Sequence, residues 1–413
     1  MATPRTLLAA TLCTVFATST IAHTEIKESA PDSTKQTITL GMSTALTGPA
    51  AQLGINMRDG VLAAFSEINN AGGIHNHTLE LIALDDGYEP SRTAPNMHTL
   101  IDEHRVTAII GNVGTPTAIA AIPIANKYET LLFGAYTGAG ALRKSPPDRY
   151  IINYRASYAQ ETGAMVDVLI NHAGLEMTEI AFFTQRDAYG DAGFIGGINA
   201  LKAHGLTDTS SITHGRYERN TIAVENGLAD IMLSDTPIKA VIMVGAYAPC
   251  AEFIKLAKEY GLEATFLNVS FVGSTPLANE LGSIGDGVII TQVVPHYASE
   301  LTIANEYRDA LAIANPDASP TFGSFEGYIA ARIMIDAIKN TKAAPTRQTM
   351  VQILEALGEF DLGLGHPLTL SPTNHQASNT IWPTVIHDGQ VIEFAWDQLN
   401  SVTKETLSEA SSD

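Results

Sequence analysis

Short apolar runs of strand length alternate with helix-length stretches from residue 38 onward, in two successive series. The first series opens with ITLGMST and LELIALDD, and the second, after Asn153, contains EIAFFTQ, AVIMVG, ATFLNVS and GVIITQVV. Alternation of this kind indicates right-handed βαβ units, which place successive strands in one parallel sheet. We therefore predict an α/β fold with two doubly wound parallel-sheet lobes.

Two strand-to-helix turns in the first series have unusual compositions. They are GNVGTPT (residues 111–117) and FGAYTGA (residues 133–139), and each follows a short apolar run that is typical of a buried parallel strand. Loops at the carboxyl ends of adjacent parallel strands line one crevice, where helix N-termini present unpaired N–H groups. The small residues and hydroxyls of these turns predict a site for a small polar molecule.

Length and charge limit the classes of function. A chain of 413 residues with only 16% charged residues is expected to form two well-buried domains of ordinary size. Its formal net charge of −20 repels phosphate backbones and anionic lipid surfaces. We expect a small-molecule ligand as the partner, and no nucleic acid.

The first 22 residues have the layout of a secretory signal peptide. Arg5 precedes an apolar stretch from Leu7 to Phe16, and small residues precede a cut after Ala22. This predicts export to a bacterial periplasm. A lipoprotein is the alternative, because Cys13 follows the apolar run, although Leu12 is larger than the residue expected before a lipidated cysteine. With Cys13 removed, Cys250 is the remaining cysteine, so no intramolecular disulfide is expected.

Motifs that would indicate an enzyme are missing from the sequence. No GxGxxG opens the first βα unit, and no GxSxG nucleophile elbow occurs. The acidic pair Asp85 and Asp86 ends a strand, where carboxylates cap turns. His75 and His77 lack accompanying ligands at metal-binding spacing, and Cys250 is expected to be a buried, inert thiol. We predict no catalytic residue, cofactor or metal site.

The order and spacing of several segments resemble one known family. These segments include ITLGMSTALTGPAAQLG, LIALDDGYEP, the two turns, TQRDAYGDAG, VGAYAPCAEFIKLAKEYGL and SFEGY. Together they resemble the type I periplasmic solute-binding proteins of ABC importers, in the leucine/isoleucine/valine-binding branch. The resemblance implies two lobes joined by a three-strand hinge, which close around the ligand. It also implies a monomer that delivers its ligand to an inner-membrane permease, or alternatively a sensor that presents its closed form to a membrane receptor.

The resemblance also implies domain limits. The first lobe comprises residues 36–154 and 295–368, and the second comprises residues 155–294 and 369–398. A polar tail, residues 399–413, follows and is expected to fray.

The family's binding residues can be carried over position by position. In its amino-acid binders the ligand carboxylate is held after the third and fourth strands, and tyrosines of the second lobe wall the pocket. The matching positions in this chain are Gly114, Thr115, Ala135, Tyr136, Thr137, Tyr189 and Tyr247.

One position departs from the family's pattern. Ser270 stands where amino-acid binders place the acid that pairs with the ligand ammonium. A buried ammonium without a carboxylate is poorly compensated. The sequence therefore does not predict the usual amino-acid ligand of the family. Glu326 can supply a substitute acid, or it can brace the hinge or lie exposed. Leu53 replaces an aromatic residue of some relatives, which is expected to open the side-chain subsite.

Overall fold

The computed structural model describes residues 36–399 together with Met1. The predicted signal peptide, Cys13 and residues 400–413 of the polar tail therefore lie outside the described residues. Within residues 36–399, no helix combines the length and the apolar character that crossing a bilayer requires.

The first series of elements forms a parallel five-stranded sheet. Its strands are β1 (Gln36–Thr44), β2 (His77–Asp85), β3 (Ala108–Ile110), β4 (Leu132–Phe133) and β5 (Ile151–Ile152), and its helices are α1 (Ala51–Asn70), α2 (Pro90–His98) and α3 (Thr115–Lys127). The strand order is β2-β1-β3-β4-β5. β3 and β4 are short and fully buried, as expected for central strands covered on both faces.

The second series forms a larger sheet. Its elements are α4 (Tyr158–Asn171), β6 (Ile180–Gln185), α5 (Ala188–Ala203), β7 (His214–Tyr217), α6 (Glu225–Met232), β8 (Ala240–Val244), α7 (Tyr247–Glu259), β9 (Thr265–Asn268), α8 (Ser274–Leu281) and β10 (Ile289–Gln292). Strands β10, β9, β8, β6 and β7 are neighbours in that order and run parallel. Both sheets with their helices bear out the predicted doubly wound α/β fold.

The C-terminal third of the described chain serves both sheets. It contains α9 (Thr302–Ala314), α10 (Phe322–Lys339), α11 (Met350–Glu355), β11 (Gly358–Phe360), β12 (Leu368–Leu370), β13 (Trp382–His387) and β14 (Gln390–Glu393). α9 and α10 pack against α1 of the first sheet. The hairpin β13-β14 extends the second sheet, with β13 antiparallel to β10 and a turn at Asp388-Gly389, as the sequence predicts.

The chain passes between the two sheets three times, after β5, after β10 and after β12. The three crossing segments are hydrogen-bonded to one another. The Asn153 N–H donates to the His375 carbonyl (2.7 Å), the Ser378 N–H donates to the Tyr154 carbonyl (2.8 Å), and Tyr154 Oη donates to the Val293 carbonyl (3.1 Å). These segments form the hinge of a two-lobed protein. The residue limits given above for the lobes remain a prediction.

Three strands were not predicted from the sequence. β5 and β11 have only two and three residues, and β7 is an edge strand with the polar sequence HGRY. Such short or polar strands depend on a neighbouring strand to supply hydrogen bonds, so periodicity alone does not reveal them.

The contact between α1 and α10 leads to a stability prediction. A Cβ at Gly60 would lie 1.8 Å from the backbone oxygen of Ser324, whereas a Cβ at Gly163 of α4 would have nothing within 4 Å. We expect Gly60→Ala to lower the free energy of unfolding by about 3 kcal/mol, because the two helices must move apart. The matched control Gly163→Ala is expected to raise it by about 0.5 to 1 kcal/mol. Urea unfolding measures both, and equal effects of the two substitutions would contradict the close packing.

Candidate functional site

The two glycine-containing turns lie side by side, as the sequence predicts. The Tyr136 N–H donates to the Asn112 carbonyl (2.8 Å), and the Gly114 N–H donates to the Tyr136 carbonyl (3.2 Å). Gly114 has a φ of 102°, and a Cβ at this position would lie 2.1 Å from Cε2 of Tyr88. Glycine is therefore required here both by the backbone conformation and by the close approach of the tyrosine ring.

The hydroxyl groups of both turns meet at the N-terminus of α3. The Oγ1 atoms of Thr115 and Thr137 are 2.6 Å apart, and the Ala139 N–H donates to Thr137 Oγ1 (3.2 Å). Thr115, Ala135 and Thr137 are each at most 2% exposed. The structure thus brings together the small and hydroxyl-bearing residues that the sequence assigns to the first half of a binding site.

The second lobe faces these turns with aromatic side chains. Tyr189 is the second residue of α5, which Asp187 caps, and its hydroxyl donates to the Gly245 carbonyl (3.1 Å). Tyr136 Oη donates across the lobes to the Ser270 carbonyl (3.3 Å). Phe271, which the sequence analysis did not assign to the site, is fully buried between these tyrosines. Its ring centroid lies 4.6 Å from that of Tyr189 and 5.4 Å from that of Tyr136.

Tyr247 and Leu53 lie beside Gly273, two residues beyond Phe271. A Cβ on Gly273 would lie 2.6 Å from Cδ2 of Leu53 and 3.6 Å from Cδ1 of Tyr247. Leu53 is only 2% exposed. This leucine therefore fills space against the second lobe, and the open subsite expected from its small size is closed in this structure.

A buried guanidinium lies at the centre of the site. Arg155, in the first hinge segment, is 3.3 Å from Glu326 of α10, and the exposed fractions of the two side chains are 1% and 3%. Its guanidinium carbon lies 4.5 Å from the ring centroid of Tyr136. Arg155 Nη2 donates to Ser270 Oγ, while Nε and Nη1 have no hydrogen-bond partner within the described residues.

A second buried acid lies behind Ser270. Glu161 of α4 accepts hydrogen bonds from the Ser270 N–H (2.7 Å), from Ser270 Oγ (3.0 Å) and from Thr291 Oγ1 (2.6 Å). Burial raises the pKa of Glu161, while the positive charge of Arg155 lowers it. Ser270 therefore lies between the guanidinium of Arg155 and the carboxylate of Glu161. In the family that the sequence resembles, amino-acid binders carry an acid at the position of Ser270, and here Glu161 lies behind that position.

The sequence analysis missed both Arg155 and Glu161. The available signal was a charged residue inside an otherwise apolar stretch, because Arg155 lies three residues after β5 in IINYRAS. Glu161 lies one residue after the capping-box residue Gln160 on a helix that buries it, and a sequence does not show which helical acid points inward.

Glu326 is already paired in this structure. Burial raises its pKa from 4.5 to about 7, the charge of Arg155 lowers it, and repulsion by Glu161 raises it further. Because Arg155 compensates its charge, Glu326 is not a free partner for a ligand ammonium here. The hinge-bracing role that the sequence left open fits this geometry, and a role in ligand binding remains a prediction.

Polar contacts at the rim join the two lobes. Arg219 lies 2.9 Å from Glu89 of the first lobe and 3.0 Å from Asp187 of the second. Gln185 Nε2 donates to Tyr88 Oη (3.1 Å). These contacts join residues of the two lobes, so the structure shows a closed arrangement.

A cleft of about 770 Å³ opens next to the hinge and touches one of the predicted site residues. We call it the hinge-side cleft. It begins at Thr115 and lies between α3, the loop of residues 138–147, the hinge segments and one face of α5. A second cavity, of about 10 Å³, lies beside Tyr88 and Gln185 and has room for about one water molecule.

The residues that were considered for catalysis from the sequence are buried or engaged in contacts that stabilise the fold. Asp85 accepts from the N–H groups of Leu46 (2.8 Å) and Gly87 (2.9 Å), as a turn cap does. Asp86 is buried and accepts from neighbouring hydroxyl and N–H groups. Cys250 is buried, and burial raises the pKa of its thiol. Among the described residues, no group of three or more His, Cys, Asp or Glu side chains has the arrangement of a metal site.

The fold, and the residues of the two lobes that face one another, define a two-lobed α/β binding protein. A family model described as periplasmic binding protein matches residues 37–390. The chain therefore belongs to the periplasmic binding protein family, and it is a binding protein rather than an enzyme.

Named relatives agree with this assignment. The chain is 25% identical to a Leu/Ile/Val-binding protein of Rhizobium johnstonii, over 87% of this chain and 91% of the relative. It is 23% identical to a leucine-, isoleucine-, valine-, threonine- and alanine-binding protein of Pseudomonas aeruginosa, over 75% and 79% of the two chains. A solved structure from Rhodopirellula baltica, described as a possible leucine/isoleucine/valine-binding protein, is 52% identical. It has a TM-score of 0.87 and covers 89% of this chain and 98% of that one.

The raised pKa of Glu326 predicts a pH dependence of stability. The folded-state pKa of about 7 exceeds the value of 4.5 in the absence of burial, so the folded state binds the additional proton. This contribution is complete below pH 4.5 and is lost as pH rises through 7. We expect the unfolding free energy of the wild type, relative to Glu326→Gln, to fall by about 1 to 3 kcal/mol over this range.

Denaturant unfolding at several pH values measures this difference. The exposed Glu359 provides the control, since Glu359→Gln is expected to follow the pH dependence of the wild type. A Glu326→Gln curve parallel to the wild type would contradict a buried, proton-binding Glu326.

Proposed function

We propose that the protein is the substrate-binding component of an ABC importer and captures a small organic solute between its lobes. The observation that carries this proposal is the contact of Tyr136, which lies in the same turn as the buried Thr137, with Ser270 and Phe271 of the second lobe. Residues from both sheets face the same space, so a solute there would contact both lobes only in the closed arrangement. Gly114, Ala135 and Tyr136 belong to the first-lobe half of the proposed site, and Tyr247 belongs to the second.

Closure is the proposed mechanism of capture. A ligand shifts an equilibrium between open and closed forms by its differential affinity for the two. Arg155 supports this mechanism, because it lies in a hinge segment and contacts Glu326 of the first lobe and Ser270 of the second. Opening the lobes would separate the buried guanidinium of Arg155 from at least one of these partners. The contacts of Arg155 with both lobes therefore favour the closed form.

Delivery to a membrane permease is the second part of the proposal. A signal peptide at residues 1–22 would place the protein in the periplasm, where it would act as a monomer. Relatives named for Leu/Ile/Val binding support the capture of a small organic solute. The ligand of this chain is a separate question, because Ser270 replaces the acid on which an ammonium would depend. Amino acids, amides and carboxylates are the solute classes to compare.

A broad ligand screen tests the proposed function. We expect at least one small organic solute to raise the melting temperature of the purified protein, because a ligand that binds only the folded state stabilises it. Mass spectrometry of material released on denaturation identifies a ligand that copurifies. Small-angle scattering is expected to show a smaller radius of gyration with the solute than without it. If no solute shifts the melting temperature and none is released, the proposal fails.

Thr115 provides a test of the first-lobe half of the site. Thr115→Val removes the hydroxyl but keeps the side-chain shape, and we expect it to weaken solute binding by about 1 to 3 kcal/mol. Thr130→Val is the matched control, because Thr130 is also a fully buried threonine of the first lobe but its hydroxyl bonds the Tyr128 carbonyl, away from the site. Isothermal titration calorimetry measures both variants. Equal affinities in the two variants would show that the Thr115 hydroxyl does not contact the solute.

A further inference from the structure

One arginine at the rim is paired with an acid from each lobe. Arg219 lies in the turn after β7 of the second lobe, and its guanidinium nitrogens are 2.9 Å from Glu89 Oε2 and 3.0 Å from Asp187 Oδ2. Glu89 lies between β2 and α2 of the first lobe, whereas Asp187 lies between β6 and α5 of the second. A single positive charge therefore joins two carboxylates that belong to different lobes.

The residue after Arg219 adds a second connection between the lobes. Asn220 Nδ2 donates to Glu89 Oε1 (2.6 Å) and to the Gly87 carbonyl (3.2 Å). Both oxygens of the Glu89 carboxylate are thus bonded to the same turn of the second lobe. We call the four residues Glu89, Asp187, Arg219 and Asn220 the rim latch.

The two acids of the rim latch are held in position by their surroundings. Each stands directly before a helix, Glu89 before α2 and Asp187 before α5. Asp187 also accepts hydrogen bonds from the Tyr189 N–H (2.9 Å) and from Gln185 Nε2 (2.7 Å). Exposed ion pairs contribute little when two mobile side chains must be ordered. That cost is smaller here, because the acids are already placed and the side chain of Arg219 is only 24% exposed.

The contact between the lobes beside the rim latch is closely packed. Pro49 and Tyr88 of the first lobe face Tyr217 and Gln185 of the second across a cavity of about 10 Å³, which has room for about one water molecule. Gln185 Nε2 donates to Tyr88 Oη (3.1 Å), and Tyr217 Oη donates to Gln185 Oε1 (3.0 Å). Every group in these contacts belongs to the protein, so the contacts can form whenever the lobes meet.

We infer that the rim latch sets the share of closed molecules in the solute-free protein. The formal net charge of −20 makes the lobes repel each other, and Arg219 opposes this repulsion where acids of the two lobes meet. This inference goes beyond the proposed function, because it concerns the equilibrium before capture. A solute then compacts the molecules that are still open, by its own differential affinity for the closed form.

Matched arginine substitutions test the rim latch in solute-free protein, which is prepared by unfolding and refolding to remove bound solute. Arg219→Gln removes the charge between the lobes, and we expect small-angle scattering to show a larger radius of gyration than for the wild type. Arg216→Gln is the control, because Arg216 is equally exposed, at 24%, and pairs with Asp191 of its own lobe (2.6 Å). It changes the net charge by the same amount, and its radius is expected to equal that of the wild type.

Ionic strength provides a second readout of the same variants. The difference in radius between Arg219→Gln and the wild type is expected to be larger in about 10 mM than in about 1 M sodium chloride, because salt screens the ion pairs. An Arg219→Gln radius equal to that of the wild type at low salt would overturn the inference. An equal expansion in Arg216→Gln would overturn it as well.

Glu89 tests the electrostatic origin from the other lobe. Glu89→Gln is expected to expand the solute-free protein, because it removes the negative charge that pairs with Arg219. In Arg219→Gln, however, Glu89 and Asp187 are left as like charges at one rim. Adding Glu89→Gln to Arg219→Gln is therefore expected to reduce the radius, since it removes this repulsion. A double variant more expanded than Arg219→Gln alone would overturn the latch. Circular dichroism and a cooperative melting transition establish that each variant folds.

The outcomes separate this inference from the proposed function, because the scattering experiment needs no solute. If the broad screen finds a solute but Arg219→Gln has the radius of the wild type, the protein captures its solute without a latch. If Arg219→Gln expands but neither the screen nor mass spectrometry finds a solute, the latch is supported and the proposed function fails.

Discussion

The buried guanidinium of Arg155 is the interaction on which the closed structure depends. It lies in the first hinge segment, pairs with Glu326 of α10 and donates to Ser270 of the second lobe, with both charged side chains at most 3% exposed. Removing a charge from water costs several kcal/mol, which only nearby opposite charge and hydrogen bonds offset. Each lobe contributes a group that stabilises this charge. The relative position of the lobes is therefore tied to the solvation of one side chain in the hinge.

The same network explains how the position of Ser270 can lack an acid. Glu161 accepts three hydrogen bonds behind Ser270, so negative charge is present in the second lobe but is directed at Arg155 through the serine. The charge of Arg155 acts on two carboxylates, Glu161 and Glu326, and burial raises the pKa of both. A site arranged in this way satisfies its charges internally. A ligand ammonium would have to compete with Arg155, which is fixed in place by both lobes.

The sequence predicted the features that depend on local pattern. The alternation of elements predicts both doubly wound sheets, and the two glycine-containing turns are adjacent because β3 and β4 are neighbouring parallel strands. Arg155, Glu161 and Phe271 were not predicted, because their roles depend on partners more than a hundred residues away in the chain, such as Ser270 for Glu161. Leu53 illustrates the same limit. Its small size suggested an open subsite, but the backbone of Gly273 approaches it from the other lobe.

Phe271 and Tyr136 join the two lobes at the centre of the proposed site. An aromatic side chain buries a large area, so displacing either ring from the centre would expose apolar surface and separate the ring contacts around it. For Tyr136 it would also break the hydrogen bond to the Ser270 carbonyl and the contact with Arg155. Any solute at the centre must therefore repay the cost of opening the Arg155 network as well as its own desolvation. The residues that fill the centre therefore also join the two lobes, through the hydrogen bond of Tyr136 to the Ser270 carbonyl and the charge of Arg155.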